Sequence, residues 1–265
     1  MFRLKLFLCL LLAAGSISAQ EADFPRTSDG KPDLSGIWQA LTAANWDVEG
    51  HPASQGAVET LGAIGAVIPD PGIVVEGNIP YLASALGQRN ENFLNRRTGD
   101  TEARCFMGGI PRSNYMPHPF QIFQTDGDIM MVYQYAGGVR TIFMNPDDHM
   151  EAPVDSWMGW SNGRWEGDTL VVEVSGLMAN WLDRSGNFAT EGLRVTERYT
   201  LMSPWHLMYE ATLEDPAVFE RPWTVRFPLY KRMEENARVM EFKCPEFAEE
   251  ILYGHLRKPG TGGSE

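Results

Sequence analysis

The chain has 265 residues and a formal net charge of −13 at pH 7, with 43% hydrophobic and 11% aromatic residues. This length and apolar content suffice for one large globular domain. An acidic surface repels phosphate backbones and anionic lipid headgroups, which excludes nucleic acid and membrane surfaces as predicted partners.

The first segment, residues 1–19, has the pattern of a secretory signal peptide. Arg3 and Lys5 form its basic start, Leu6–Ala14 is an apolar run, and small residues up to Ala19 offer a cleavage site. The apolar run is too short to span a bilayer, so we predict no membrane insertion after cleavage. Loss of Arg3 and Lys5 takes the net charge from −13 to −15, and the mature protein is expected to be periplasmic or secreted.

Residues 20–119 are predicted to form an N-terminal strand, loops and a helical arm. Asp33–Gln39 has the pattern of an opening strand, and Pro80–Arg96 carries apolar residues at helical spacing after a proline suited to the first turn. Between them, residues 52–77 are rich in Gly, Ala and Pro and are predicted to be irregular.

Residues 120–253 are predicted to form a β core. Its strands are short, apolar-rich runs: Phe120–Gln124, Ile129–Tyr135, Arg140–Met144, Thr169–Val174, Leu193–Met202, Leu207–Glu214 and Trp223–Tyr230. Turn residues separate several of them, at Thr125–Asp128, Ala136–Gly138 and Asn162-Gly163. This close, regular spacing favours an antiparallel barrel or sandwich. A strand over Val239–Lys243 and a helix over Glu246–Leu252 are predicted next, before a frayed tail over 254–265.

Cleavage of the leader removes Cys9 and leaves Cys105 and Cys244. Two cysteines in an oxidising compartment are predicted to form one disulfide, and two separate buried thiols are the alternative. No CxxC or Cys/His spacing is present, so no metal site is predicted on them. The chain also lacks a dinucleotide fingerprint, a phosphate-binding Gly loop and a Gly-x-Ser-x-Gly elbow, so the sequence predicts no cofactor.

One strand face is apolar except for a single carboxylate. Parity places Leu193, Val195, Glu197, Tyr199 and Leu201 on this face. A carboxylate that loses hydration there would suit a general acid or base, so we predict Glu197 as a catalytic residue. The alternative is that an arginine of a neighbouring strand neutralises it, or that hydrogen bonds at a barrel end hold it.

A second predicted strand contributes two phenols. Ile129, Met131, Tyr133 and Tyr135 share a face, so Tyr133 and Tyr135 are predicted to point inward and polarise a substrate carbonyl or enolate. Met131 and Tyr199 are predicted to contact the ligand. The alternative is that these tyrosines fill the core with a hydroxyl at the rim.

The loop Trp181–Asn187 places Asp183 beside Arg184. Loops at a barrel mouth commonly carry binding residues, so this pair is predicted to orient a polar group of the substrate. An Asx turn with a surface arginine is the alternative. The chain has eight tryptophans, and Trp160 and Trp181 are predicted to line a cavity for an aromatic ligand.

Two histidines have informative neighbours. His118 lies between two prolines and is predicted to contact the ligand, where it would act as an acid or base. The alternative is that His118 anchors its loop. Acidic residues surround His149: Asp147, Asp148, Glu151 and Asp155. This cluster fits either a divalent metal or an acidic surface loop, and without HxH or HExxH spacing no metal is predicted.

Several blocks of the chain carry a resemblance. Residues 157–172 read WMGWSNGRWEGDTLVV, and further blocks are Trp181–Asp183, Thr196–Tyr199, Glu214–Pro216 and Arg221–Thr224. Together they resemble the signature of a widespread family of exported bacterial proteins, over most of the mature chain. The resemblance implies export and carries no settled activity. Relatives commonly place His where this chain has Trp160, so a role of that His does not carry over.

A shorter element, Gly36-x-Trp38 near the first predicted strand, is similar to that of lipocalin-like (calycin) barrels. The resemblance implies a barrel with a cavity for a small apolar ligand, and it carries over no ligand residues.

The sequence thus predicts a mostly β protein, an antiparallel lipocalin-like β-barrel with an N-terminal arm containing one helix. We predict an exported enzyme that performs cofactor-independent acid–base chemistry on a small hydrophobic or aromatic molecule, of isomerase, dehydratase, cyclase or lyase type. The alternative is a periplasmic lipocalin-like binding or carrier protein without turnover.

Overall fold

A computed structural model describes residues 24–56 and 59–256 of the chain. The predicted signal peptide, residues 1–19, lies outside the described residues, and so does the predicted tail beyond residue 256. No helix in the described part of the chain is long and apolar enough to cross a membrane.

Most strands of the chain close into one barrel. The barrel strands are β1 Gly36–Ala40, β2 Phe120–Gln124, β3 Ile129–Tyr133, β4 Val139–Phe143, β5 Trp160–Glu166, β6 Thr169–Ser175, β9 Arg194–Ser203, β10 His206–Glu214 and β11 Trp223–Lys231. Two short strands, β7 Asn180–Trp181 and β8 Phe188–Ala189, pair separately in the connection between β6 and β9. Around the barrel the order is β1-β11-β10-β9-β6-β5-β4-β3-β2. The prediction of a mostly β barrel is confirmed.

The barrel is mixed and not wholly antiparallel. β4 and β5 pair in parallel, with Ile142 opposite Ser161, and every other barrel pair is antiparallel. The prediction of a purely antiparallel barrel was therefore wrong at this pair. A parallel pair requires a crossover connection, and residues 144–159 supply it by returning from the end of β4 to the start of β5.

β5 was missed because Asn162-Gly163 has the composition of a turn. Gly163 instead lies inside the strand, where a Cβ atom would come within 2.5 Å of Ile142 Cγ2 on β4. The glycine thus permits close packing of two strands. The turn lies further along, where Gly167, at φ 61°, and Asp168 join β5 to β6.

The helices are short, and those of the described residues form no part of the barrel wall. The helix predicted over 80–96 forms as α1 Leu86–Leu94, followed by α2 Arg96–Gly99. The remaining helices are α3 Arg112–Tyr115 and α4 Ala248–Tyr253, and 3₁₀ turns occur at 59–65, 135–137, 146–148 and 254–256. The strand predicted over Val239–Lys243 was wrong, because these residues pair with no strand of the described chain.

One end of the barrel is covered by the rest of the chain. The connections that follow β1, β3, β6 and β10 all lie at this end, which we call the capped end. The first of them, residues 41–119, contains α3, whose four residues are all buried. Inside the barrel, the inward face of β9 is buried from Val195 to Leu201, as parity predicts. The interior is therefore filled by side chains below the capped end.

The predicted disulfide is confirmed. Cys105 and Cys244 are bonded, with their Cα atoms 5.7 Å apart and a sequence separation of 139. The bond holds the segment that follows β11 against the segment that follows α2. The C-terminal part of the chain is thereby fixed at the capped end.

Replacement of both bonded cysteines by serine is expected to lower the free energy of unfolding by about 2–5 kcal/mol, because the unfolded chain gains freedom when so long a loop is opened. Urea denaturation measures the change, and the wild-type protein under reducing agent is the control. Equal midpoints for the oxidised wild-type protein and the double variant would contradict this account.

Candidate functional site

Glu197 lies inside the barrel and is wholly buried. Its Oε2 atom pairs with Nη2 of Arg140 on β4, and Nη1 of Arg140 donates to Oε1 over 3.2 Å. The phenols of Tyr199 and Tyr209 donate to the same Oε1 over 2.9 and 2.8 Å. The carboxylate therefore has four protein donors around it before any ligand is considered.

A fifth donor comes from outside the barrel wall. Nδ2 of Asn114, on α3, donates to Oε1 of Glu197 over 3.0 Å. The Tyr133 hydroxyl in turn donates to Oδ1 of Asn114 over 2.9 Å, so this phenol reaches Glu197 through the amide. On the other side, Nε of Arg140 donates to Oγ of Ser161 over 2.8 Å. The polar side chains of this cluster are thus hydrogen-bonded to one another.

The protonation states of this cluster follow from burial and from the carboxylate. Burial opposes charge on Arg140, but Glu197 and the phenols around it outweigh that cost and raise the pKa of Arg140. Burial, followed by the charge of Glu197, raises the pKa of Tyr199 and Tyr209. Both phenols are therefore neutral donors to the carboxylate at neutral pH.

This geometry matches the alternative stated for Glu197, in which an arginine of a neighbouring strand neutralises it. Neither Glu197 nor Tyr133 lines the surface pocket described below. Tyr199 and Met131 are also buried, and both contact the cluster through their polar atoms. Catalytic or ligand-binding roles for these residues stay predictions, and the proposal below does not use them.

Asp183 is buried at the capped end and is separate from the barrel cluster. It accepts from the backbone N–H groups of Val48 and Asn187 and from Nδ2 of Asn187, over 3.0, 3.1 and 2.6 Å. Burial, and then the charge of Asp47, raises the pKa of Asp183 from 3.8 to about 7. Asp183 thus ties its loop to the N-terminal arm, while its neighbour Arg184 points elsewhere.

Another buried cluster joins the arm to the capped end. Arg112 of α3 makes two hydrogen bonds to Asp100, of 2.7 and 3.0 Å, and one of 2.9 Å to Glu102. Asn45 accepts from Nε of Arg112 and donates to Glu102, each over 2.9 Å. Glu102 is the outermost member, with its side chain about one-fifth exposed at 21%. Glu102 therefore connects this buried network to a surface pocket.

That pocket, which we call the mouth pocket, has a cavity volume of about 250 Å³. It is lined by Arg97, Glu102, His118, Tyr135, Arg184, Phe242, Lys243, Phe247 and Glu249, with smaller residues between them. Three residues predicted from the sequence, His118, Tyr135 and Arg184, meet here although they lie in three separate connections. The disulfide brings Phe242 to the same place, because Cys244 follows it by two residues and lines the pocket.

An aromatic wall forms one side of the mouth pocket. The rings of His118, Tyr135 and Phe242 contact one another, with centroids 4.9–5.6 Å apart. Burial lowers the pKa of His118, and neither ring nitrogen has a hydrogen-bond partner among the described residues. The His118 imidazole is thus neutral and free to accept or pass on a proton.

Tyr135 does not share the inward face predicted for it. β3 ends at Tyr133, and Tyr135 lies in the following 3₁₀ turn, where it faces the mouth pocket. Its hydroxyl donates to the carbonyl oxygen of Glu102 over 3.0 Å, and burial raises its pKa. The hydroxyl of Tyr135 is therefore already hydrogen-bonded within the protein. Its aromatic ring is the part of the side chain that is available to contact a ligand.

The charged side of the pocket is built around Arg184. Its guanidinium pairs with Glu249 of α4 and lies 3.9 Å from Glu102, and it stacks over the ring of Trp46 at 4.2 Å. Asp183 and Arg184 are adjacent in sequence but do not act as a pair, since Asp183 is held inside. The buried carboxylate of Asp183 accepts from Val48 and Asn187 and does not reach the pocket that Arg184 lines, and a role of the two residues in orienting a substrate stays a prediction.

Trp160 and Trp181 do not line the mouth pocket. The Trp160 ring stacks on Phe143 at 4.5 Å on the barrel wall, and the Trp181 carbonyl accepts from Arg112 over 3.3 Å. Nε2 of His149 donates to the Phe143 carbonyl over 2.9 Å. Among the described residues, no group of three or more His, Cys, Asp or Glu side chains is placed to hold a metal ion.

Comparison with known proteins adds no family or relative to this description. No protein-family model, no curated protein and no solved structure matches the chain at a significant level.

Replacement of Glu197 by glutamine is expected to lower the free energy of unfolding by about 3–5 kcal/mol, because it leaves the charge of Arg140 buried without a counterion. Urea denaturation measures this loss. The matched control is Glu173→Gln on β6, whose surface pair with Arg164 should be worth less than about 1 kcal/mol. A Glu197→Gln variant as stable as the control would show that the pair is not structural.

The stability of the protein is expected to depend on pH through Asp183. Because its folded-state pKa, about 7, lies above the ordinary value of 3.8, folding favours the protonated carboxyl. The contribution of Asp183 therefore favours folding at low pH and is lost as the pH rises from about 4 to about 7. Asp183→Asn keeps the acceptor oxygen and removes this dependence.

Urea denaturation of both proteins between pH 5 and pH 8 measures the effect. The difference in free energy of unfolding, variant minus wild type, should increase with pH. Asp47→Asn is the companion variant, because removal of the repelling charge should weaken the dependence without abolishing it. Parallel pH profiles for the wild type and Asp183→Asn would contradict the prediction.

Proposed function

We propose that the protein is an exported enzyme that binds a small aromatic or hydrophobic molecule in the mouth pocket and uses His118 as its acid–base group. The observation that carries the proposal is the convergence of His118, Tyr135 and Arg184 on one open pocket. The predicted signal peptide supports export, and so does the disulfide, since such bonds persist in oxidising compartments.

The pocket fits a ligand of one or two rings. Its volume of about 250 Å³ exceeds the roughly 150 Å³ of an apolar protein cavity that accepts benzene. The rings of Tyr135 and Phe242 offer an apolar wall, and the His118 imidazole contacts both of them. A planar ligand placed against this wall would bring a C–H or O–H group towards the imidazole.

The acid–base role of His118 rests on its protonation state and on its lack of partners. A neutral imidazole can remove a proton from a carbon or oxygen acid, and it can return that proton at a second position. Arg184 also lines the pocket, and although it pairs with Glu249, its guanidinium would help to stabilise an enolate or carboxylate bound there. This supports isomerisation, elimination, dehydration or cyclisation without a redox cofactor.

A lipocalin-like carrier remains the second candidate, favoured by the closed barrel. In such a carrier the ligand lies inside the barrel, but here the interior holds the Arg140–Glu197 cluster. A carrier would therefore have to use the mouth pocket, and there an imidazole without partners has no evident purpose. The pocket supports an enzyme better than a carrier.

Replacement of His118 by phenylalanine is expected to keep ligand binding and to lower turnover by about 10²–10⁴-fold, the usual contribution of an acid–base group. Phenylalanine preserves the ring contacts with Tyr135 and Phe242. The measurement follows an extract of small aromatic and hydrophobic metabolites by mass spectrometry over time, with wild-type protein and variant side by side.

Loss of a compound well beyond protein stoichiometry, with a product appearing, identifies an enzyme. Loss that stops at one ligand per protein and is reversed by denaturation identifies a carrier and contradicts the proposal. Equal turnover by His118→Phe would exclude His118 as the acid–base group. Inactivity of a folded Glu197→Gln variant would indicate that the acid–base group lies inside the barrel and not in the mouth pocket.

A further inference from the structure

Glu102 is one of the carboxylates that line the mouth pocket, and the protein holds it rigidly. Its Oε2 atom accepts from Nη2 of Arg112 and from Nδ2 of Asn45, each over 2.9 Å. Nε of Arg184 lies 3.9 Å from the same oxygen. The other oxygen, Oε1, has no hydrogen-bond partner among the described residues. The carboxylate is thus fixed in place by one oxygen, and its second oxygen is not used by the fold.

The backbone of Glu102 supports the wall around His118. The carbonyl oxygen of Glu102 accepts from the Tyr135 hydroxyl over 3.0 Å, and the Tyr135 ring stacks on the His118 imidazole with centroids 5.6 Å apart. The carbonyl oxygen of the next residue, Ala103, accepts from the N–H of Phe247 over 2.8 Å. The position of His118 relative to Glu102 is therefore set through Tyr135.

Several charged groups surround His118, but one of them acts on it. The charged side chains that line the pocket are Arg97, Glu102, Arg184, Lys243 and Glu249. Arg184 pairs with Glu249, Lys243 lies 3.4 Å from Glu241, and burial keeps the Tyr135 hydroxyl neutral by raising its pKa. Burial lowers the pKa of His118, and the charge of Glu102 opposes this change. No other charge of the described residues that line the pocket contributes to it.

We propose that Glu102 is a positioning residue that enables His118 to take up a proton in the mouth pocket. When His118 removes a proton from a C–H or O–H group, the substrate keeps the bonding electron pair as an anion and the imidazole becomes an imidazolium. The charge of Glu102 stabilises the imidazolium, and Arg184 stabilises the anion. Return of the proton restores both neutral forms. This inference rests on the proposed function, because it adds a second residue to that reaction.

Proton NMR titration of the His118 imidazole from about pH 4 to about pH 8 tests the proposal. The His118→Phe variant identifies the resonance of this residue among the five histidines. Glu102→Gln keeps an acceptor oxygen and removes the charge, so the pKa of His118 should fall further below its ordinary value. Glu249→Gln is the matched control, because it removes another carboxylate of the same pocket and should leave the pKa of His118 unchanged.

The pH profile of turnover gives the second readout, with any compound that the wild-type protein consumes. The neutral imidazole is the active base, so kcat/KM decreases as the pH falls through the pKa of His118. Glu102→Gln should move this decrease to lower pH and reduce turnover at neutral pH by about tenfold or more. A purely structural role of Glu102 would lower the stability of the protein and leave the profile in place.

The outcomes separate this inference from the proposed function. An unchanged pKa of His118 in folded Glu102→Gln, or an equal shift in Glu249→Gln, overturns the role of Glu102 and leaves the proposed function intact. Absence of turnover by the wild-type protein overturns the proposed function, and the role of Glu102 with it. If Glu102→Gln does not fold, Glu102→Asp replaces it. This variant withdraws the charge by one methylene and should lower the pKa of His118 by less, and no change would overturn the inference.

Discussion

Buried polar groups at the capped end must find partners there, and a single helical turn, α3, connects them. Arg112 binds Asp100 and Glu102 on one side of this turn. Asn114 enters the barrel on the other side and donates to Glu197. Removal of either contact would leave a buried group unpaired, which costs more than the hydrogen bond itself contributes. The position of the arm on the barrel is therefore set by charge as much as by apolar packing.

The mouth pocket depends on the same arrangement. Glu102 turns its side chain towards Arg112 and its carbonyl oxygen towards Tyr135, so the buried network fixes one wall. The disulfide completes the same aromatic wall, since it holds Phe242 against His118 and Tyr135. Functional residues commonly lie on loops that a rigid scaffold holds, and the residues that line the mouth pocket lie on such connections. Its barrel serves as the scaffold, with an interior committed to the Arg140–Glu197 cluster.

The sequence predicts the elements whose apolar residues recur at regular spacing. It does not predict the contacts that irregular segments make. Parity placed Glu197 inward correctly, and the same parity puts Arg140 beside Ile142 on an inward face, so its partner could have been found. Asn114 could not, because the segment that carries it has neither helical nor strand spacing. Gly163 misled the prediction of β5, since a glycine can serve a turn or a close packing contact and composition alone does not separate them. His118 was predicted from its flanking prolines. Phe242 was not predicted, because only the disulfide brings it close to His118.

The arginines of the capped end show why overall charge does not decide what the protein binds. A net charge of −13 repels an anionic ligand at a distance and slows its approach. At physiological salt, however, exposed charges more than about 8 Å apart are largely screened. A ligand inside a pocket therefore responds mainly to the groups that line it. Arg97 and Arg184 line the mouth pocket and are partly buried, so their attraction is screened less than the repulsion of the acidic surface. The net negative charge of the chain therefore does not by itself decide which small molecules that pocket can hold.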